Sequence, residues 1–125
     1  MDAPSVARAA EEAGIVQTVL DYFEGWFDGD AGRMESALHP GLAKRSLEDD
    51  GQTLNETTAE WMIDATARGL GHARDPGDRR IEVEIEDVHG TVANATVRSA
   101  VYREYVHLVR TKDGWKIVNA LWAWS

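Results

Sequence analysis

Apolar and polar positions divide this chain into a helical first half and a strand-rich second half. Over residues 11–28, Gln17, Asp21, Glu24 and Asp28 recur at helical spacing and make one polar stripe. Ile15, Val16, Val19, Leu20, Tyr22, Phe23, Trp26 and Phe27 fill the rest of the circumference. So wide an apolar arc predicts a helix laid across a sheet, ended by Gly29. Residues 1–10 read as a loosely ordered start. Gly25 inside the helix costs about 1 kcal/mol relative to Ala, which predicts a close approach by another backbone there.

Asp30 caps a second, short helix over about residues 31–38, stopped at His39-Pro40 because the residue before proline resists helical backbone angles. A ribbon follows over residues 42–48 and 52–54, turning at Asp49-Asp50-Gly51. Thr57 and Glu60 have the spacing of a capping box. The helix it starts runs to about residue 68, with Trp61, Met62 and Ala65 inward, and residues 69–79 read as loop.

Period two then takes over. Ile81, Val83 and Ile85 alternate with Glu82, Glu84 and Glu86, a strand with one wet face, and Val88 falls out of phase, predicting a bulge. His89-Gly90 turns the chain into strands over residues 92–101 and 102–110. A three-residue loop at Lys112-Asp113-Gly114 leads into a final strand from Trp115 to Trp124. That loop length pairs Thr111 with Trp115, Val109 with Ile117, His107 with Asn119 and Tyr105 with Leu121. It turns His107, Asn119, Tyr105 and Trp115 toward the helix and Val118, Trp122 and Trp124 away from it. A two-residue loop shifts the register by one and flips the faces. The element order predicts a single α+β domain over residues 1–125, a strongly curved antiparallel sheet with helices gathered on one side.

Composition narrows the functional classes. A net charge of −9 disfavours nucleic acid and anionic membrane surfaces as partners. No apolar run is long enough to span a bilayer, and the first residues lack the pattern of a secretion signal, so a cytoplasmic location is expected. Cysteine is absent, and the four histidines, at 39, 72, 89 and 107, are scattered. No phosphate loop, nucleophile elbow or metal motif appears, so no cofactor and no metal is expected. Five tryptophans in 125 residues are an excess, and such rings fill cores, seal interfaces or stack on flat ligands.

Several stretches together resemble the nuclear transport factor 2-like superfamily. They are Tyr22-Phe23-Glu24-Gly25-Trp26-Phe27-Asp28-Gly29-Asp30, residues 34–40, Leu42-Ala43-Lys44-Arg45, Glu104-Tyr105-Val106-His107-Leu108 and residues 113–119. Within the superfamily, which includes ketosteroid isomerase, scytalone dehydratase and SnoaL-type cyclases, the chain is most similar to the branch called putative lumazine-binding proteins. The resemblance covers about residues 12–124. It implies a cone-shaped sheet wrapped around the long first helix, a pocket at the cone's open end, and homodimers packed through the outer sheet face. Val118, Trp122 and Trp124 are expected in that interface. The paired carboxylates of ketosteroid isomerase and the Asp/His pair of the cyclases are not recognisable here.

The expected pocket is lined by Tyr22, Trp26, Phe27, Trp61, Tyr105, His107, Trp115 and Asn119, mostly apolar with a few placed polar groups. The leading expectation is a small-molecule-binding domain that takes a flat ring. The alternative is an isomerase, dehydratase or cyclase, with His107 or His39 as acid/base and Tyr22 and Asn119 as polar partners. An interaction module, the third reading, predicts no closed cavity. Glu104 has a parity opposed to His107 and is expected in a structural salt bridge.

Overall fold

The computed structural model describes residues 3–125, with side chains from Val6 onward. Three helices, α1 (Ala3–Asp28), α2 (Ala31–Ala37) and α3 (Ala59–Ala67), lie on one sheet of six strands. The strands are β1 (Leu38–Leu47), β2 (Leu54–Thr57), β3 (Glu82–His89), β4 (Val92–Arg98), β5 (Tyr102–Thr111) and β6 (Gly114–Trp124), in the spatial order β2-β1-β6-β5-β4-β3. A single 3₁₀ turn, His72–Arg74, interrupts the loop between α3 and β3. The fold is α+β, as expected. The sheet is mixed rather than wholly antiparallel, because β1 runs parallel to β6 while every other pair is antiparallel. Parallel neighbours need a long crossover, and here α3 and the β3–β5 meander supply it.

The wide apolar arc of α1 does what its width predicts. Ile15, Val19, Tyr22, Phe23 and Phe27 are buried in one core with Val97, Val106, Leu108, Ile117 and Ala120 of the sheet. The polar stripe also binds its neighbours. Arg33 of α2 donates to Asp21 at 3.0 Å and Glu24 at 2.9 Å, and Arg79 pairs with Asp28 at 2.7 Å. The close approach expected at Gly25 is α2: an added Cβ there would lie 3.1 Å from the Met34 nitrogen and 3.2 Å from the Asp30 carbonyl oxygen. The helix itself begins earlier than expected, at Ala3, while residues 1–2 of the expected loose start lie outside the described residues.

Local boundaries differ by small amounts with clear causes. Asp30 caps α2 as expected, accepting from the Arg33 backbone N–H. Thr58, not Thr57, caps α3, accepting from the Trp61 N–H at 3.1 Å, because Thr57 is still paired with Lys44 in the β1–β2 ladder. His39 and Pro40 sit inside β1, on the stretch where its pairing with β6 is irregular and proline costs no ladder bond. The bulge expected in β3 lies between Ile85 and Asp87.

The last hairpin carries the main correction. Its turn has two residues, Lys112 and Asp113, with Thr111 opposite Gly114 and Leu108 opposite Ile117. The Thr111 hydroxyl holds the turn, accepting from the Asp113 N–H at 3.0 Å and donating to the Gly114 carbonyl at 2.9 Å. One residue later the ladder slips: Leu108 faces Ile117 but His107 faces Asn119, so Val118 is an extra residue in β6. The slip restores the expected pairs His107–Asn119 and Tyr105–Leu121, but on the opposite face of the sheet. Trp115 and Ile117 point into the core before the bulge, and Ala120 is buried after it. On β5 the inward set is Tyr102, Glu104, Val106 and Leu108. Tyr105, His107, Asn119 and Leu121 are therefore on the exposed convex face. Among the described residues, no helix is long and apolar enough to cross a membrane.

Candidate functional site

A cavity of about 840 Å³ opens between the C-terminal half of α1, α3, the 3₁₀ turn and the ends of β1, β5 and β6. Its size falls within the roughly 300–1,000 Å³ usual for small-molecule sites. Helical spacing puts Tyr22, Phe23 and Trp26 on the face of α1 that looks into it. Trp61 of α3 lines the opposite side and is 44% exposed. Four and six residues beyond the bulge at Val118, β6 contributes Trp122 and Trp124.

These rings hold one another at fixed angles. Tyr102 of β5 meets Trp122 edge-on at 5.5 Å and stacks on Trp124 at 5.3 Å, and the two indoles meet at 5.1 Å and 89°. Trp26 Nε1 donates to the Tyr102 hydroxyl at 3.0 Å, tying the helix to this cluster. At the mouth the Arg74 guanidinium lies 4.7 Å from the centre of the Trp124 ring. The result is a cavity with large flat faces on several sides, pre-set by edge-to-face packing.

Its polar lining has an exposed part, Asn55, Glu56, Arg68 and Arg74, and a buried one. Lys44 and Glu104 are 8% and 2% exposed, and both line the cavity with Tyr22. The Tyr22 hydroxyl donates to Glu104 Oε1 at 2.9 Å, and the Lys44 Nζ donates to the Tyr22 hydroxyl oxygen. Lys44 Nζ is also 3.8 Å from Glu104 Oε2 and 5.6 Å from the centre of the Trp122 ring. Burial dominates all three protonation equilibria. It pushes the Glu104 carboxyl up, against the pull of Lys44, and pushes the Lys44 ammonium down, against the pull of Glu104. It raises the Tyr22 phenol well above its ordinary value, with the Glu104 charge adding to the effect. An acid, an amine and a phenol thus share one short hydrogen-bonded chain facing an aromatic chamber.

The structure brings together Tyr22, Trp26 and Trp61 as expected from the sequence. It places the other expected lining residues elsewhere. Phe27 is 1% exposed and stacks on Tyr102 from within the core. Trp115 is buried behind the closed end, where its carbonyl accepts from the Thr18 hydroxyl at 3.0 Å. Tyr105, His107 and Asn119 point away from the cavity, with Asn119 Nδ2 3.2 Å from His107 Nδ1 on the convex face. The expected inward orientation of that pair is therefore corrected, as is the outward orientation of Trp122 and Trp124: the two-residue turn reverses the face of His107 on β5, and the bulge at Val118 reverses Asn119 and the two indoles on β6. Val118 itself is half-buried. His39 does not line the cavity either: its Nδ1 accepts the Gly41 N–H at 2.9 Å. Glu104 does form the expected salt bridge, with Lys44.

Lys44 was the residue least visible in the pattern. A signal was present all the same: on β1, Lys44 shares parity with Leu42 and Ser46, and on β5, Glu104 shares parity with Tyr102, Val106 and Leu108. Opposite charges on the inward faces of two strands in one sheet point to a buried pair.

The sequence model of a family described as "Putative lumazine-binding" matches residues 10–123. No curated protein matches the sequence. Among solved structures, an NTF2-like protein of unknown function from Methylobacillus flagellatus is similar, with 18% identity and a TM-score of 0.71 over 100% of this chain and 95% of that one. An NTF2-like protein with a cystatin-like fold from Novosphingobium aromaticivorans has 17% identity and a TM-score of 0.70, covering 98% and 86% of the two chains. A protein from the same organism described as "Putative Scytalone Dehydratase" has 12% identity and a TM-score of 0.70, covering 97% and 88%. At such identities the likeness is one of fold.

Proposed function

We propose, for a chain that belongs to the family described as "Putative lumazine-binding", a small-molecule-binding domain whose cavity takes a flat ring between the indoles of Trp26, Trp61, Trp122 and Trp124. One observation carries this reading: the cavity of about 840 Å³ is walled by Phe23, Trp26, Trp61, Tyr102, Trp122 and Trp124, with one buried polar cluster within and Asn55, Glu56, Thr57, Arg68 and Arg74 also along its lining. Flat faces in a pre-set arrangement bind a planar ligand with little loss of side-chain freedom. The family description makes lumazine the first ring to test. Titrating the protein with lumazine is expected to quench tryptophan fluorescence with saturation, and Trp122→Ala is expected to weaken binding about tenfold, roughly the upper range of one aromatic stacking contact. No saturable quenching by lumazine, or by 2-naphthylmethanol as a second planar probe, would overturn the reading.

A second reading, an isomerase, dehydratase or cyclase, is favoured by one feature, the buried Tyr22–Lys44–Glu104 chain. In it the acid/base role passes from His39 and His107, which do not line the cavity, to Glu104, with Tyr22 as the hydrogen-bond donor. The domain is further proposed to pair with a second copy through the convex sheet face.

A further inference from the structure

We propose that Lys44 captures carbonyl compounds: its amine condenses with the aldehyde or ketone of an aromatic ligand held in the cavity, forming an imine, with Tyr22 and Glu104 carrying the protons. The proposal rests on the reading that the cavity takes a flat ring, and adds the group that ring must bear. Three features of the geometry support it. Lys44 Nζ lies at the cavity wall, 4.9 Å from the centre of the Tyr22 ring and 5.6 Å from that of Trp122, so a ring stacked on Trp122 brings a substituent carbon to the amine. The Nζ, the Tyr22 hydroxyl and Glu104 Oε1 form an unbroken hydrogen-bonded chain. The only other carboxylate lining the cavity, Glu56, is engaged by Arg45 at 3.5 Å on the exposed side of β1 and β2.

That chain solves the usual problem of a lysine nucleophile, which is protonated in water. Passing one proton from Lys44 to the Tyr22 oxygen, while Tyr22 passes its own to Glu104, turns an ion pair into a neutral amine and a neutral acid. No net charge is created, and burial opposes both charged forms. The amine lone pair then attacks the carbonyl carbon. A carbon–nitrogen bond forms as the C=O π pair moves to oxygen, and that oxygen takes the proton back from Glu104 through Tyr22. Loss of the resulting hydroxyl with a proton from nitrogen releases one water and leaves the C=N bond. Nothing is oxidised or reduced.

The test uses the intact wild-type protein with 2-naphthaldehyde and sodium cyanoborohydride near pH 7, followed by digestion and mass spectrometry. The hydride reduces the imine to a stable secondary amine. Lys112 and Lys116, the only other lysines, serve as internal controls. Lys44 is expected to be labelled roughly tenfold faster than either, because burial disfavours its charged form and the cavity holds the ring beside its amine. Tyr22→Phe, which keeps the ring and cuts the proton chain, is expected to slow Lys44 labelling roughly tenfold and leave Lys112 labelling unchanged. Labelling of Lys44 no faster than of Lys112 and Lys116, while 2-naphthylmethanol still quenches the tryptophans, overturns the capture and leaves the binding reading intact. Absence of both labelling and quenching overturns the two together.

Discussion

Glu104 and Lys44 are each other's main reason for being charged inside the protein. Removing one partner leaves the other buried and uncompensated, a change that costs about 3–5 kcal/mol, whereas replacing both with apolar residues of similar volume is often neutral or stabilising. Lys44→Met is therefore expected to lower stability by about 3 kcal/mol, and Lys44→Met combined with Glu104→Leu to recover most of it, measured by urea unfolding. The pH dependence has a definite sign. Glu104 is pushed up by burial, and losing Lys44 removes the charge that restrains the rise. A carboxyl with a raised folded pKa favours the fold below its unfolded pKa, near 4.3, and loses that contribution as pH rises through the folded value. The deficit of Lys44→Met relative to wild type is accordingly expected to be small at pH 5 and larger at pH 8. A deficit that is flat across this range would mean that Glu104 stays in one protonation state without its partner.

At the scale of elements, the wall of the cavity depends on how tightly the 3₁₀ turn presses on α1. A Cβ added at Gly71 would collide with the Trp26 carbonyl oxygen and with its indole ring, too close to be absorbed by a side-chain shift. His72 Nδ1 contacts the Phe27 carbonyl at 3.0 Å, and Ala73 and Arg74 face the cavity. Gly71→Ala is expected to lift this turn off the helix, costing about 1–3 kcal/mol of stability and weakening ring binding more than a surface substitution does, as measured by thermal unfolding and fluorescence titration. The helices and most strands were legible because their patterns are long and their caps local: the stripe on α1, Asp30 before α2 and the turn glycines all act where they stand. The face of the last hairpin was not legible. A two-residue turn at Lys112-Asp113 and a bulge at Val118 cancel in the pairing of His107 with Asn119, yet together reverse which side chains face the helix. The bulge leaves no mark in a run where both neighbouring faces are apolar, and the charge on Glu104 disguised the inward set of β5. Tyr105, His107 and Asn119 went to the wrong side of the sheet for this one reason of register and parity; Phe27 and Trp115 do face inward but lie in the core, while Tyr22, Trp26 and Trp61, placed by helical spacing, line the cavity.

For the whole molecule, the reversal moves the hydrophobic cost from one face to another. With Trp122 and Trp124 turned inward, the convex face exposes Leu47 at 58%, Leu121 at 55% and Tyr105 at 51%, on the adjacent strands β1, β6 and β5. These side chains border a hollow of about 320 Å³ that Trp122 and the 53% exposed Trp124 also line, at the end of the sheet. Neighbouring large apolar groups on a sheet face are the usual mark of an interface. A second copy suits this one, because a two-fold pairing lets the same patch serve on both sides. The dimer implied by the resemblance is thus proposed through Leu47, Tyr105 and Leu121, with Trp122 and Trp124 of the expected set at the rim of the same hollow. Each copy carries a formal charge of −9, so long-range repulsion opposes the pairing, and salt that screens it favours the dimer. The expected outcome in sedimentation is a dimer whose dissociation constant falls between roughly 0.05 and 0.5 M salt, where the Debye length shortens from about 14 to about 4 Å. Leu121→Glu places two carboxylates in the interface and is expected to leave a folded monomer that still quenches with a planar ring, since Leu121 does not line the main cavity. A wild-type monomer at high micromolar concentration and high salt would show that the convex face is simply solvated.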